Sequence, residues 1–208
     1  TATDGFTFDD IKIYMPTTLF SEDFESGTLG AFANSNTITA LVWNNSTIRG
    51  TDPGHSATRS AYFGNPGDTT YNTGSTEGAD LTSSAIDLSF SSSVTLVFNY
   101  FLETEQFNGY DSAFVSISTD GVNFTNIADN QSSGLNNLID AQGIWQSLAI
   151  NISSYAGNAT VYIRISFNSR DATNNSFEGF YIDDVAVLNM PFVEKQVVFG
   201  GSNNDELR

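Results

Sequence analysis

Gly179-Phe180-Tyr181-Ile182-Asp183-Asp184-Val185 is an apolar strand interrupted by two adjacent carboxylates. Unpaired charge in such a run is costly to bury, so the acids need compensation, and a hard cation is the simplest compensator. Strand alternation places Ile182 and Asp184 on one face and Tyr181 and Asp183 on the other. Both acids therefore reach one ion only at a bulge or a strand end. The same pattern opens the chain as Gly5-Phe6-Thr7-Phe8-Asp9-Asp10-Ile11, and each copy is followed by Met-Pro, at Met15-Pro16 and Met190-Pro191. Duplication at this distance marks a unit cut from a tandem array. Residues 1–16 read as the last strand of a preceding repeat plus a linker, 17–190 as the repeat itself, and 191–208 as a linker and short strand, Phe192 to Phe199, leading to a tail.

Outward from that stretch, alternating apolar residues recur in short bursts separated by Gly, Asn, Asp and Ser, with no sustained helical period. Val161, Ile163, Ile165 and Phe167 face one way, and Thr160, Tyr162, Arg164 and Ser166 the other. The run from Val94 to Leu102 is apolar on both faces, as a covered central strand must be. Ala113, Val115 and Ile117 lead into Asp120-Gly121, a pair suited to a tight two-residue hairpin turn, with Phe124 and Ile127 starting the return. Many short strands at this spacing predict an all-β fold, a two-sheet antiparallel β-sandwich of jelly-roll type.

The composition suits one such domain: 208 residues, 39% hydrophobic and 13% aromatic, enough for a packed core. A net charge of −17, from 24 acids against 7 bases, argues against nucleic acid and anionic lipid, both of which require clustered Lys and Arg. No run approaches the roughly 18 to 20 apolar residues of a membrane span, so membrane insertion is not expected. With no cysteine, disulfides and thiolate metal sites are excluded.

Read in order, Phe20-Ser21-Glu22-Asp23-Phe24-Glu25-Ser26-Gly27, Gly54-His55-Ser56, Leu81 to Leu88, Val115 to Gly121, Trp145, Ile150 to Gly157 and Gly179 to Val185 resemble the cleaved-adhesin, or choice-of-anchor J, jelly-roll domains of bacterial surface proteins. These are relatives of MAM domains and of some carbohydrate-binding modules. Where that pattern has Gly-Trp after the opening motif, this chain has Gly30-Ala31-Phe32, with Trp43 further on. The resemblance implies a calcium site tying the first strand to the last, with Glu25 and Asp184 as leading ligands and Asp23 and Asp183 in reserve. It also implies oxygens from the Thr51-Asp52-Pro53-Gly54 loop, namely Asp52 and the Gly54 carbonyl. Calcium chemistry agrees, since the ion takes six to eight oxygens and no sulfur. The tail from Gly200 resembles one nonapeptide of the calcium-binding RTX roll, with Asn203 in place of its third glycine.

Raw material for catalysis is poor. His55 is the only histidine, so a Ser-His-Asp arrangement has a single imidazole to draw on. Glu103 and Glu105 lack the acid spacing of jelly-roll glucanases and read as solvated strand-end residues or further metal ligands. The expected function is a non-catalytic, calcium-stabilised adhesion or interaction module, extracellular or on the bacterial cell surface, repeated so that weak contacts add. Its expected partner is an extracellular glycan or a protein on a host or neighbouring cell, with head-to-tail contact between repeats. Two other readings stay open. One is a carbohydrate-binding module, for which Trp43, Tyr71, Phe107 and Tyr110 are the candidate sugar-stacking aromatics. The other is a passive rigid spacer.

Overall fold

In the computed structural model, which describes residues 15–105, 110–132, 134–135 and 145–190, the alternating runs become strands. In chain order these are β1 (Thr17–Glu22), β2 (Phe32–Ser35), β3 (Trp43–Ser46), β4 (Ser60–Phe63), β5 (Gly78–Ser83), β6 (Val94–Glu103), β7 (Ser112–Ser118), β8 (Thr125–Asp129), β9 (Gln146–Asn151), β10 (Tyr162–Asn168) and β11 (Gly179–Asn189), with a 3-10 turn at Ser153–Tyr155. No helix among the described residues is long and apolar enough to cross a membrane. The duplicated strand at Gly5–Ile11, the run Phe192–Phe199, the nonapeptide tail and Phe107 lie outside the described residues.

Two antiparallel sheets face each other, as the alternation predicts. One runs β3-β4-β11-β6-β9, with β1 also paired to β11; the other runs β2-β5-β10-β7-β8. Leu96, Phe98 and Tyr100 of β6 and Phe180, Ile182, Val185 and Val187 of β11 meet Val115 and Ile117 of β7 and Ile163, Ile165 and Phe167 of β10 in one buried core. The hairpin at Asp120-Gly121 is wider than expected, since six residues separate β7 from β8. The Asp120 carboxylate organises this loop by accepting the N–H groups of Val122 (2.8 Å) and Asn123 (2.7 Å) and the Ser118 hydroxyl (2.8 Å).

Two of the proposed sugar platforms belong to the core. Trp43 is 1% exposed, lies between Phe63 and Phe180 and donates its indole N–H to the Ala79 carbonyl at 3.1 Å. Tyr71 is wholly buried against Phe167, with its hydroxyl on Asp111. Neither can offer a face to a sugar. Their polar flanking residues suggested loops, but one polar atom on each ring finds a buried partner, so the rings turn inward. Tyr110, by contrast, is exposed.

β11 positions everything that follows. Along its whole length it pairs with β6, whereas on its other side it pairs first with β4, at Phe180–Ile182, and later with β1, at Val185–Asn189. At the changeover the register with β6 shifts between Asp183 and Ala186, and Asp184 takes φ +51°. This is a bulge at the Asp-Asp pair, the condition under which both acids can share one side of the strand. Without it, strict alternation would point Asp184 into the core; the extra residue leaves Ile182 and Val185 buried on the inner side, with Asp183 and Asp184 bonded to a loop and strand on the outer side.

A carboxylate clasp at the bulge of β11

The outer face of the six-stranded sheet carries a second apolar cluster: Tyr62 of β4, Phe101 of β6, Tyr181 of β11 and Trp145, which precedes β9. Tyr62 and Tyr181 stack at 4.1 Å between ring centroids. The connection between β3 and β4, residues 47–59, folds over this cluster and carries Arg49 and His55 onto it. Arg49 lays its guanidinium 3.5 Å above the Phe101 ring and pairs with Glu178 (2.5 Å) and Asp52 (2.6 Å). His55 stacks on Trp145 at 4.1 Å. Gly54 has φ +103°, and a Cβ there would lie 3.1 Å from the Trp145 Cβ, so this position requires glycine for both backbone and space.

His55 and Asp183 form the buried centre, both side chains wholly inaccessible, with Nδ1 to Oδ2 at 2.7 Å. His55 Nε2 is 2.9 Å from the Arg49 carbonyl, which can only accept, so Nε2 carries a hydrogen. The remaining proton therefore lies between Nδ1 and Asp183. Burial pushes the Asp183 carboxyl up, to about 7, against the downward pull of the hydrogen bond from His55. The imidazole has no free nitrogen and no route to solvent, so it cannot serve as a general base toward an external substrate.

Around this centre, acids from two segments, β11 and the turn after β1, grip the same short stretch of loop. Asp184 Oδ2 accepts the Ser56 N–H (2.8 Å) and the Asn99 side-chain amide of β6 (2.7 Å). From the turn after β1, Glu25 accepts the Arg59 N–H (2.6 Å), the Thr58 N–H and the Thr58 hydroxyl (3.1 Å). Partial desolvation pushes the Glu25 carboxyl up, yet the amides of Arg59 and Thr58 outweigh it and hold the group below its usual range. Glu25 and Asp184 thus meet the same turn two residues apart, at Thr58 and Ser56. Both acids are held by loop amides, at Ser56 for Asp184 and at Thr58 and Arg59 for Glu25.

The other proposed ligands do different work. Asp23 accepts the Glu25 N–H at 3.1 Å and shapes the turn. Asp52 neutralises Arg49. Among the described residues no three His, Cys, Asp or Glu side chains cluster so as to hold a metal ion by themselves. Glu22 was not anticipated: its carboxylate accepts the N–H of Phe24 (2.9 Å) and Ala31 (2.7 Å), closing the turn that presents Glu25. Glu178 was also missed, although it directly precedes the glycine of the decisive strand. It binds Arg49 by both oxygens and accepts the Tyr181 hydroxyl at 2.7 Å.

A separate open groove of about 420 Å³ crosses the outer face of the five-stranded sheet, lined by Asn34, Ser35, Thr82, Asp120, Tyr162 and Arg164 among others. Arg164 lies flat in it, 3.5 Å over the Phe124 ring, bonded to Thr82 (3.2 Å) and Asp80 (3.4 Å).

No protein-family profile matches the chain, and no curated protein matches it in sequence. Solved structures do match it in fold. A family 61 carbohydrate-binding module in complex with β-1,4-galactotriose superposes with a TM-score of 0.52 at 14% identity, covering 79% of this chain and 92% of that one. The K1 cleaved adhesin domain of Lys-gingipain from Porphyromonas gingivalis W83 gives 0.51 at 17% identity, covering 81% and 96%. A carbohydrate-binding module of the β-sandwich superfamily, described for promiscuous specificity, gives 0.51 at 15% identity, covering 79% and 60%. These likenesses establish the shared sandwich architecture.

Proposed function

We propose that this chain is a non-catalytic recognition module of an extracellular or surface-displayed protein, acting in adhesion. The observation that carries this reading is the clasp itself. The imidazole and the acids nearest to it are spent on fixing a loop to a sheet, which produces a rigid body rather than a reactive centre. The solved sandwiches of similar shape include an adhesin domain, which supports the reading at the level of fold.

Calcium belongs to this proposal as a stabiliser. Glu25 and Asp184 supply hard oxygen donors on either side of residues 56–58, and an ion there would complete its shell with loop carbonyls and water. Extracellular modules bind calcium at about 0.1 to 1 mM, so the ion would stabilise the folded state by mass action. The check is a thermal melt in millimolar calcium and in chelator, beside calorimetric titration. A higher melting temperature with calcium that is lost in Glu25→Gln supports the role; identical melts remove it.

Carbohydrate binding is the second reading, favoured by the groove over the five-stranded sheet. Its hydroxyls, amide, tyrosine ring and flat guanidinium are groups that hydrogen-bond and stack on sugars. A glycan array read with and without chelator decides between the two. Binding that disappears in Tyr162→Ala and Arg164→Ala establishes the sugar reading, and a silent array with retained adhesion to cells excludes it.

A further inference from the structure

β1 and β11 are antiparallel neighbours, with Thr17 opposite Asn189. Pro16 and Met190, which flank those two residues, therefore lie at the same end of the sandwich. That end is also formed by the 84–93 connection, where Ser93 accepts the Met190 N–H at 2.7 Å, and by the β7–β8 loop, because Ser118 pairs with Tyr162 at the start of β10. Met15 (77% exposed), Phe90 (98%), Val122 (77%) and Met190 (40%) all belong to it. They are four of the seven large hydrophobic side chains exposed among the described residues.

From this juxtaposition we propose that the linker end is an interface with the neighbouring copy of the same unit, so that consecutive repeats meet end to end at their linker ends while their opposite ends point outward. The occupant follows from covalent geometry. The sequence at Gly5–Tyr14 follows the pattern of Gly179–Leu188 in β11, without a counterpart of Asn189, and Met-Pro comes next in both; only Met15 and Pro16 then separate the preceding copy from β1. Two linker residues span at most about 3.3–3.6 Å each, plus one further step, so the preceding copy's corresponding end is held about 10 Å from Thr17. At that tether length the effective concentration of one end near the other is in the millimolar range, enough for a small apolar patch to stay covered. An aromatic ring and two methionines also suit an interface core better than open water. This inference goes beyond the recognition reading, and it stands or falls separately from the glycan and calcium assays, which use the single chain.

The test is the full chain with residues 17–191 duplicated, that is 1–191 continued by 17–208, compared with the single chain by calorimetry and small-angle scattering. The expected result is a melting temperature about 2–4 °C above that of the single chain, corresponding to roughly 1 kcal/mol of mutual support, together with a compact two-body scattering profile. Phe90→Ser and Val122→Ser in both copies should abolish the shift and lengthen the particle, while the same substitutions leave the single chain's melt unchanged because both side chains face solvent. If the duplicated chain melts like the single one, or its scattering shows freely jointed bodies, the proposal is overturned. It is equally overturned if the shift persists with the substitutions in place, because the copies then touch elsewhere, for example by strand pairing at a sheet edge.

Discussion

Glu25 shows how much one carboxylate does when it gathers backbone donors. Replacing it by alanine leaves the Thr58 and Arg59 amides without their acceptor, so the urea midpoint should fall, whereas Glu25→Gln, whose amide oxygen still accepts, should lie close to the parent. Asp111 is the opposite case. It is fully buried, one oxygen lacks a hydrogen-bond partner among the described residues, and burial lifts its carboxyl to about 6 in spite of the Tyr71 hydroxyl and the Glu105 N–H. The folded chain therefore holds a proton that the unfolded chain releases near pH 4, and stability falls as pH rises from about 4 to 6. Asp111→Asn should flatten that slope in urea titrations at half-unit intervals. At this scale the motifs singled out Glu25 and Asp184, and both bind residues 56–59 as acceptors of backbone amides. The sequence was opaque where burial alone sets the behaviour, as with Asp111, Trp43 and Tyr71, because composition around a residue does not reveal which way its ring or carboxyl turns.

Among the elements, β11 was the most legible as a strand; its two adjacent acids could share one side only at a bulge or strand end, and a bulge stands there. What could not be read was its cause, the exchange of partner from β4 to β1 on one side, since pairing is a property of the assembled sheet. The left-handed conformation at Asp184 suits Asp, Asn or Gly and opposes β-branching. Asp184→Val should cost roughly 1–3 kcal/mol in chemical denaturation, from strain plus the lost Ser56 and Asn99 bonds, and Asp184→Asn clearly less. At the other end of the strand, Gly179 has φ +106° and a Cβ there would lie 2.3 Å from the Phe63 carbonyl oxygen. Gly179→Ala should destabilise by about 3 kcal/mol, with loss of amide protection first along β4.

For the molecule as a whole, the alternation forecast the sandwich, whereas the burial of both faces of β4 and β11 follows from the 47–59 loop lying over the outer cluster. That docking has its own test: His55→Ala should expose the loop to a protease while the amides of β7 and β10 keep their protection against hydrogen exchange. The strand that joins β1, β4 and β6 is also the last in sequence among the described residues. Until residue 189 is present, β1 has no partner, β3–β4 is an isolated hairpin and β6–β9 a second fragment, all awaiting contacts of long sequence separation. In a chain emerging N-terminus first, the five-stranded sheet has all its strands by residue 168, whereas the six-stranded sheet closes only when β11 arrives.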